Sequence, residues 1–546
     1  MNIQSVIDSL TTGDTTDSVC RTCRHAAEAF RVALRWLSKR ELIRYGRIGC
    51  NHVANIMSRE VCRGLLKSYI DSIYDIGKLA FKAGVSERDA CALIFGPDCG
   101  NVTAAVHIWE VKLPPVPALL PQSLSSANNF EIIHFSDFHH DPSYRQGALA
   151  QCTLPLCCRQ VPSETNQSST EPSKLAGRFG DLRHCDMPIE TIESLVNDAF
   201  TVTQKSLSHI YLTGDIPPHD VWKSNQEEYF NISKTVYDLL KARFAVKMYP
   251  VVGNHEAVPP NLFSSKNHSS FPEKSTPQLY ANLASFWSTW LGEEQRKTVL
   301  LGGYYAISVS PALKVIALNT NFCYSLNFWL LVDSRDPAGQ LQWLVKELQV
   351  SELQGQKVHI LGHISPGSSD CIFTWSTQFL KIVQRFSTTI TGQFYGHTHY
   401  DEFRVFYAPD RSTPVGAAFI APSATSYSSV NPAYKIFTYS GNGVLLDAVT
   451  RTFNLTNANE VGRIDWETEY QTRSAFNVKD LSPESMDVIS KKLVADPATF
   501  QTYFRHYHRS SPSERWSSYS ERRQVTMACS TRTDVHHDNS ACLSRK

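Results

Sequence analysis

Gln393-Phe-Tyr-Gly-His-Thr-His399 is a short apolar run that stops at a glycine and then sets two histidines two residues apart. A run of this kind reads as a strand. The residues just past it are placed to meet a ligand, because open α/β sheets bind outside the carboxyl ends of their strands. Four other segments repeat the arrangement. Glu131-Ile-Ile-His-Phe-Ser136 leads into Asp137-Phe-His139, and His209-Ile-Tyr-Leu-Thr213 into Gly214-Asp215. Met248-Tyr-Pro-Val-Val252 leads into Gly253-Asn-His-Glu256, and Val358-His-Ile-Leu361 into Gly362-His363. A further strand pattern lies at 315–318, and helical patterns at 189–204 and 341–353 alternate with the strands. Alternation of this kind predicts an α/β sheet domain beginning near residue 130.

The residues at these strand ends share one chemistry. Asp137, His139, Asp215, Asn254, His363, His397 and His399 offer oxygens and imidazole nitrogens and no thiolate. Each piece alone is weak: an Asp-x-His is more often a surface loop, and Gly-Asp after a strand is usually a turn. Five pieces, each directly after a strand, point to a pair of metal ions. The donor set favours zinc over manganese or iron. Asp215 is placed to bridge the ions with its two oxygens.

The order Asp-x-His, Gly-Asp, Gly-Asn-His, Gly-His, Gly-His-x-His resembles the calcineurin-like metallophosphoesterases. Gly214-Asp-Ile-Pro-Pro-His-Asp-Val-Trp222, Asn319-Thr-Asn-Phe-Cys323, Asn327-Phe-Trp-Leu-Leu331, Asp336-Pro-Ala-Gly-Gln-Leu-Gln-Trp343 and Ala421-Pro-Ser-Ala-Thr425 narrow the likeness to the acid sphingomyelinase (sphingomyelin phosphodiesterase) branch. The resemblance implies that one zinc takes Asp137, His139, Asp215 and His399, and the other Asp215, Asn254, His363 and His397. It implies hydrolysis of sphingomyelin to ceramide and phosphocholine, with Asn254 helping to hold negative charge. His255 and His219 match the positions of the leaving-group acid. Packing beside a ligand is the alternative for His255, and an exposed loop position the alternative for His219. Tyr427 is a candidate for the pocket wall, with an ordinary core tyrosine as the alternative. His134, His140, His184, His209 and His359 are read as structural or solvent-exposed.

The 14 cysteines cluster locally and in even number, which predicts disulfides and an oxidising compartment. The sequons at Asn101, Asn166, Asn231, Asn267 and Asn454 agree with a secreted or lysosomal glycoprotein. Met1 to Val19 carries neither a basic nor an apolar leader region, so no signal peptide is seen in this chain. No run of apolar residues is long enough to span a membrane. The net charge of +1 gives no sign of a nucleic-acid partner.

Six cysteines fall in a helical, basic stretch between Cys20 and Cys99, with 14 Lys and Arg against 8 Asp and Glu. The pattern resembles a saposin domain, whose nested pairing implies Cys20–Cys99, Cys23–Cys91 and Cys50–Cys62. A basic amphipathic module is attracted to anionic membranes. The family resemblance further implies Cys152–Cys157, Cys158–Cys185, Cys323–Cys371 and Cys529–Cys542. A second C-terminal pair typical of the family is missing from 513–520. Ser365 stands where proline is usual, and Leu326 where an acid is common.

The expected organisation is a tail over 1–17, a saposin domain over 18–102 and a proline-rich linker over 103–128. A catalytic α/β sandwich of the metallophosphoesterase type over 129–455 and a C-terminal helical extension over 456–546 complete it. A monomer is expected. Two other functions stay open at this level: a phosphodiesterase for nucleotides or other soluble phosphoesters, and a catalytically inactive lipid-binding protein.

Overall fold

The computed structural model describes residues 16–53, 57–118, 128–161, 174–265, 276–441 and 443–532. Four helices come first: α1 (Thr16–Trp36), α2 (Lys39–His52), α3 (Arg59–Lys82) and α4 (Glu87–Phe95). Ser38 with Glu41 and Ser86 with Asp89 form capping boxes that start α2 and α4. Cys20–Cys99 and Cys23–Cys91 staple α1 to α4 and the turn after it, and Cys50–Cys62 joins α2 to α3. This is the saposin-like nested pairing.

Two six-stranded sheets form the centre. The first runs in the order β12 (Glu467–Gln471), β11 (Leu445–Thr452), β10 (Ala433–Tyr439), β1 (Phe130–Phe135), β2 (Leu207–Leu212), β3 (Lys247–Pro250). The second runs β4 (Tyr305–Ser308), β5 (Leu313–Ala317), β6 (Lys357–Leu361), β7 (Ile390–Tyr395), β9 (Pro414–Ile420), β8 (Glu402–Tyr407). Strands β1, β2 and β3 are parallel, as are β5, β6, β7 and β9. The sheets pack face to face through Tyr211, Phe394 and Phe437, with ring centroids about 5 Å apart. The helices Ile189–Thr203 and Gln340–Leu353 cover the outer faces with Leu195, Val196, Leu341, Leu344 and Leu348, all fully buried. The predicted strands and helices appear within a few residues of their expected positions. One strand, β12, lies where the sequence shows no strand signal. It is an edge strand on β11 with no buried residue, so no apolar alternation marks it.

The start of the proline-rich segment is strapped to the two-sheet body. Val111 is buried in the second sheet's outer core, and Arg385 donates to the carbonyls of Pro114 and Pro115. Helix α3 lies directly on the two-sheet body. Val61 packs with Leu156, Trp222 and Tyr427, and the Tyr69 hydroxyl donates to Pro260 O at 3.1 Å. Gly64 lets α3 approach the Trp222 backbone closer than any side chain would allow.

Cys152–Cys157, Cys158–Cys185 and Cys323–Cys371 form as implied. The proposed partner of Cys529, Cys542, lies outside the described residues, as do Asn166 and Asn267, while Asn101, Asn231 and Asn454 are exposed. Where the family's second C-terminal cysteine pair is missing, Trp516 is buried instead. It stacks on His508 at 5.1 Å, packs against Tyr400 and Phe504, and donates Nε1–H to Ser429 O.

His134, His209 and His359 are buried between the sheets, and His140 is buried beside Met187; His184 is exposed. Burial pushes the first three down to about 3, about 3 and about 4. In the unfolded chain each takes a proton near about 6.5. Between those values the unfolded chain binds more protons than the folded one, so stability falls as pH drops through this window. Thermal unfolding between about pH 7 and pH 4.5 should show a steadily falling melting temperature, with a shallower fall in His359→Gln. A slope unchanged in that variant would contradict this assignment.

Candidate metal centre

The seven predicted ligands converge at the carboxyl ends of strands from both sheets. Asp137 and His139 follow β1, Asp215 follows β2 and Asn254 follows β3; His363 follows β6, and His397 and His399 follow β7. Five of them hold the left-handed conformation that non-glycine residues avoid: Asp137 (φ 53°), His139 (41°), Asp215 (59°), His397 (75°) and His399 (69°). Each such residue costs on the order of 1–2 kcal/mol. Hydrogen bonds between the loops hold them there. Asp137 N–H donates to Gly214 O, His139 N–H to Asp215 O, and His397 N–H to the Asp137 carboxylate. At Gly253 a Cβ would collide with the Asp215 carboxylate.

The ring nitrogens explain what the hollow is for. His139 Nδ1–H donates to Pro217 O at 2.8 Å and His363 Nδ1–H to Thr213 O at 2.6 Å. In the neutral ring those bonds leave each Nε2 as a bare lone pair. His139 Nε2 faces His399 Nε2 at 3.2 Å, and His363 Nε2 and His397 Nδ1 each face Asn254 Oδ1 at 2.9 Å. Acceptors crowded on acceptors, all buried or nearly so, are the donor set of a cation site. Two such groups form: Asp137 with His139 and His399, and Asp215 with His363 and His397. Asp215 Oδ2 stands between them, 3.6 Å from His139 Nε2 and 3.1 Å from His363 Nε2. Its other oxygen, Oδ1, accepts His255 N–H at 2.8 Å. One shared oxygen, rather than two divided ones, therefore faces both groups.

Electrostatics agree at Asp215, His139 and His399, whereas His363, despite its burial, is raised to about 9 by the Asp215 and Asp137 carboxylates, so a proton holds the place of positive charge there. Burial alone would raise the Asp215 carboxyl, but the surrounding imidazoles of His363, His255 and His139 hold it well below the usual carboxylate range. Burial, with neighbouring histidines, keeps His139 and His399 well below 6.5, as unprotonated ligands must be.

His219, His255 and His139 each bring one ring nitrogen within 4.8 Å of the others. His255 Nδ1–H donates to Pro218 O at 3.1 Å. The bland alternative for His219 fails: it is buried, not an exposed loop residue. Tyr427 meets both of its alternatives, since it packs in a small core and lies flat on the His219 ring at 3.8 Å and 5°. His219, His255 and Tyr427 line a cavity of about 780 Å³ that also reaches Tyr69 of α3 and Leu326.

Three contributors escaped sequence reasoning. Asp186 grips His219 with both oxygens, accepting Nδ1–H and the backbone N–H at 2.7 Å each. Asp370 stands 3.4 Å from His397 Nε2. Asn261 Oδ1 accepts from Asn254 Nδ2 at 2.9 Å. None follows a strand, so the signal that found the ligands could not find them.

Residues 130–401 match the calcineurin-like phosphoesterases, the class that this fold and donor set define. Residues 413–544 match the acid sphingomyelin phosphodiesterase C-terminal region. Sphingomyelin phosphodiesterase of Homo sapiens is 36% identical over 512 residues, covering 90% of this chain and 78% of that protein. Sphingomyelin phosphodiesterase B of Dictyostelium discoideum is 36% identical over 470 residues, covering 84% and 71%. Cyclic GMP-AMP phosphodiesterase SMPDL3A of Homo sapiens is 30% identical over 393 residues, covering 68% and 82%. The chain belongs to the acid sphingomyelinase family of metallophosphoesterases.

Because Asp215 Oδ2 faces both groups, Asp215→Asn should cut bound metal at both together while the disulfide-stapled fold survives. Elemental analysis beside circular dichroism checks this; full metal content in the folded variant would contradict it.

Proposed function

We propose that this chain is a zinc-dependent phosphodiesterase that hydrolyses sphingomyelin to ceramide and phosphocholine at membrane surfaces, with two zinc ions per chain. Its modules would be the saposin domain over 18–102, the linker over 103–128, the catalytic domain over 129–455 and the C-terminal extension over 456–546. The observation that carries the reading is the pair of converging lone-pair clusters sharing Asp215 Oδ2, in a cavity whose wall includes Tyr69 of the lipid-type helical module. The relatives named above for sphingomyelin support the substrate.

The ligand division is Asp137, His139, Asp215 and His399 for one ion, and Asp215, Asn254, His363 and His397 for the other. Zinc held there would supply Lewis acidity for the phosphate oxygens and would lower the pKa of a bound water toward neutral. The chain's own residues do the rest. Asn254 is held by Asn261 in reach of both His363 and His397. The ceramide alkoxide is a poor leaving group and needs a proton. His255 and His219 spend Nδ1 elsewhere, His255 on Pro218 O and His219 on Asp186, so each would donate from Nε2 only as imidazolium; burial pulls His255 down to about 4, which confines that form to acid pH. Tyr427 fixes the plane of the His219 ring.

The membrane reading rests on the tip of the N-terminal module. Trp36 is 81% exposed and Tyr45 54%, with Val32 and Ile48 also out in solvent. Arg35, Arg40, Arg44 and Arg47 are exposed on the same two helices. An interfacial aromatic with basic neighbours fits insertion into an anionic bilayer. The site is expected in an oxidising, secreted or lysosomal setting.

His255→Ala should lower kcat by roughly 10²–10⁴-fold on sphingomyelin and by far less on a nitrophenyl ester, whose leaving group needs no proton. Equal losses on both would place His255 in ligand support.

Function itself is tested by comparing sphingomyelin in anionic liposomes with a soluble nucleotide diester, with zinc stripped and restored. Zinc-dependent preference for the liposomes is expected. In the triple variant Trp36→Ser, Arg40→Ser, Arg44→Ser, liposome hydrolysis should drop on the order of tenfold or more, because each basic residue near the surface is worth about 1 kcal/mol. Turnover of the soluble diester should hold. Preference for the nucleotide would move the activity to soluble phosphoesters, and no turnover of either would favour a lipid-binding role.

A further inference from the structure

Arg509 sits 110 residues beyond His399 and is fully buried. Among the described residues its guanidinium makes no ion pair. Nη1 donates to His399 O at 2.6 Å, Nε to Asn431 O at 2.7 Å, and Nη2 to Ser423 Oγ at 3.3 Å. Asn431 Nδ2 returns a bond to Arg509 O at 3.0 Å. These acceptors belong to two loops: the one carrying His397 and His399, and the one carrying Tyr427.

Three further bonds tie the same C-terminal segment to the same loops. Asp401 N–H donates to Tyr507 O at 3.1 Å, and Ser511 Oγ and Trp516 Nε1 both donate to Ser429 O at 2.8 Å. Ser428, the neighbour of Ser429, places its Oγ 2.9 Å from His399 Nδ1. The C-terminal segment thus holds His399 twice: by its carbonyl through Arg509, and by its ring through the loop that Trp516 anchors. His399 itself has the left-handed backbone that needs outside support.

A guanidinium buried on neutral acceptors is expensive, and an apolar side chain of similar length would fill the space. Burial pulls it down to about 10, so it keeps its charge across the working pH range. The feature is explained if the two loops must be locked together.

We propose that Arg509 is a positioning residue for His399, so that the C-terminal segment, whose described residues contribute no ligand, sets the occupancy of the ion at Asp137, His139 and His399. This rests on the two-zinc reading of the site. Outer-shell partners of a metal ligand change affinity by roughly 10–100-fold.

The test uses the full chain, loaded with zinc and dialysed against graded concentrations of a weak chelator. Wild type should retain two zinc ions. Arg509→Gln should lose one of them at chelator levels about 10–100-fold lower while keeping the other, with kcat falling in step and KM for a soluble diester unchanged. Arg509→Lys should recover part of the lost affinity. Circular dichroism and melting of the metal-free forms check the fold. If Arg509→Gln does not fold, Trp516→Phe, which removes only the donor to Ser429 O from the aromatic stack, should weaken the same single zinc to a smaller degree. A folded variant that holds both ions as tightly as wild type, or loses both equally, overturns the proposal. A wild-type chain that binds no zinc overturns the two-zinc reading, and this inference with it.

Discussion

One oxygen, Oδ2 of Asp215, stands between two groups of imidazole lone pairs in a place that solvent barely reaches. Such a carboxylate, with a second one at Asp137 and bare ring nitrogens on both sides, is tolerable only with positive charge among them. The fold is organised to make that arrangement unavoidable. Each sheet delivers loops from its carboxyl edge, the face-to-face packing sets the two edges side by side, and the left-handed turns at five ligands aim side chains inward. The turns are individually unfavourable, and inter-loop hydrogen bonds keep them in place.

The N-terminal helices and their strap matter for the same reason. Helix α3 lies against Trp222 and Pro260, one residue before Asn261, which in turn holds Asn254. The lipid-type module and the donor set therefore share one cavity wall. The exposed aromatic and basic residues on α1 and α2 sit on that same module.

Much of this was legible in the sequence because the signals are local. A short apolar run ending in glycine marks both a strand and its functional end, so the seven donor residues could be read from position alone. The helix at Ile189–Thr203 shows its apolar period, and the resemblance of the first hundred residues to a saposin domain implied the nested pairing that the structure carries. The rest is tertiary. Asp186 follows a disulfide cysteine in an irregular loop, and only the fold reveals that it grips His219. Arg509 reads as one more surface charge until the chain brings it behind His399. Trp516 takes the place of a missing cysteine pair by stacking and one hydrogen bond, which no spacing rule encodes. Strand β12 is held by backbone pairing at an edge and has no apolar pattern to betray it.

The central claim is that two zinc ions share Asp215 Oδ2. Anomalous diffraction at the zinc edge from crystals of the zinc-loaded chain tests it most directly. Two peaks are expected, one among Asp137, His139 and His399 and the other among Asn254, His363 and His397. Each should lie about 2.0–2.2 Å from its ligand atoms, with Asp215 Oδ2 common to both. A single peak, or a peak among His139, His219 and His255 in place of either, would contradict the account.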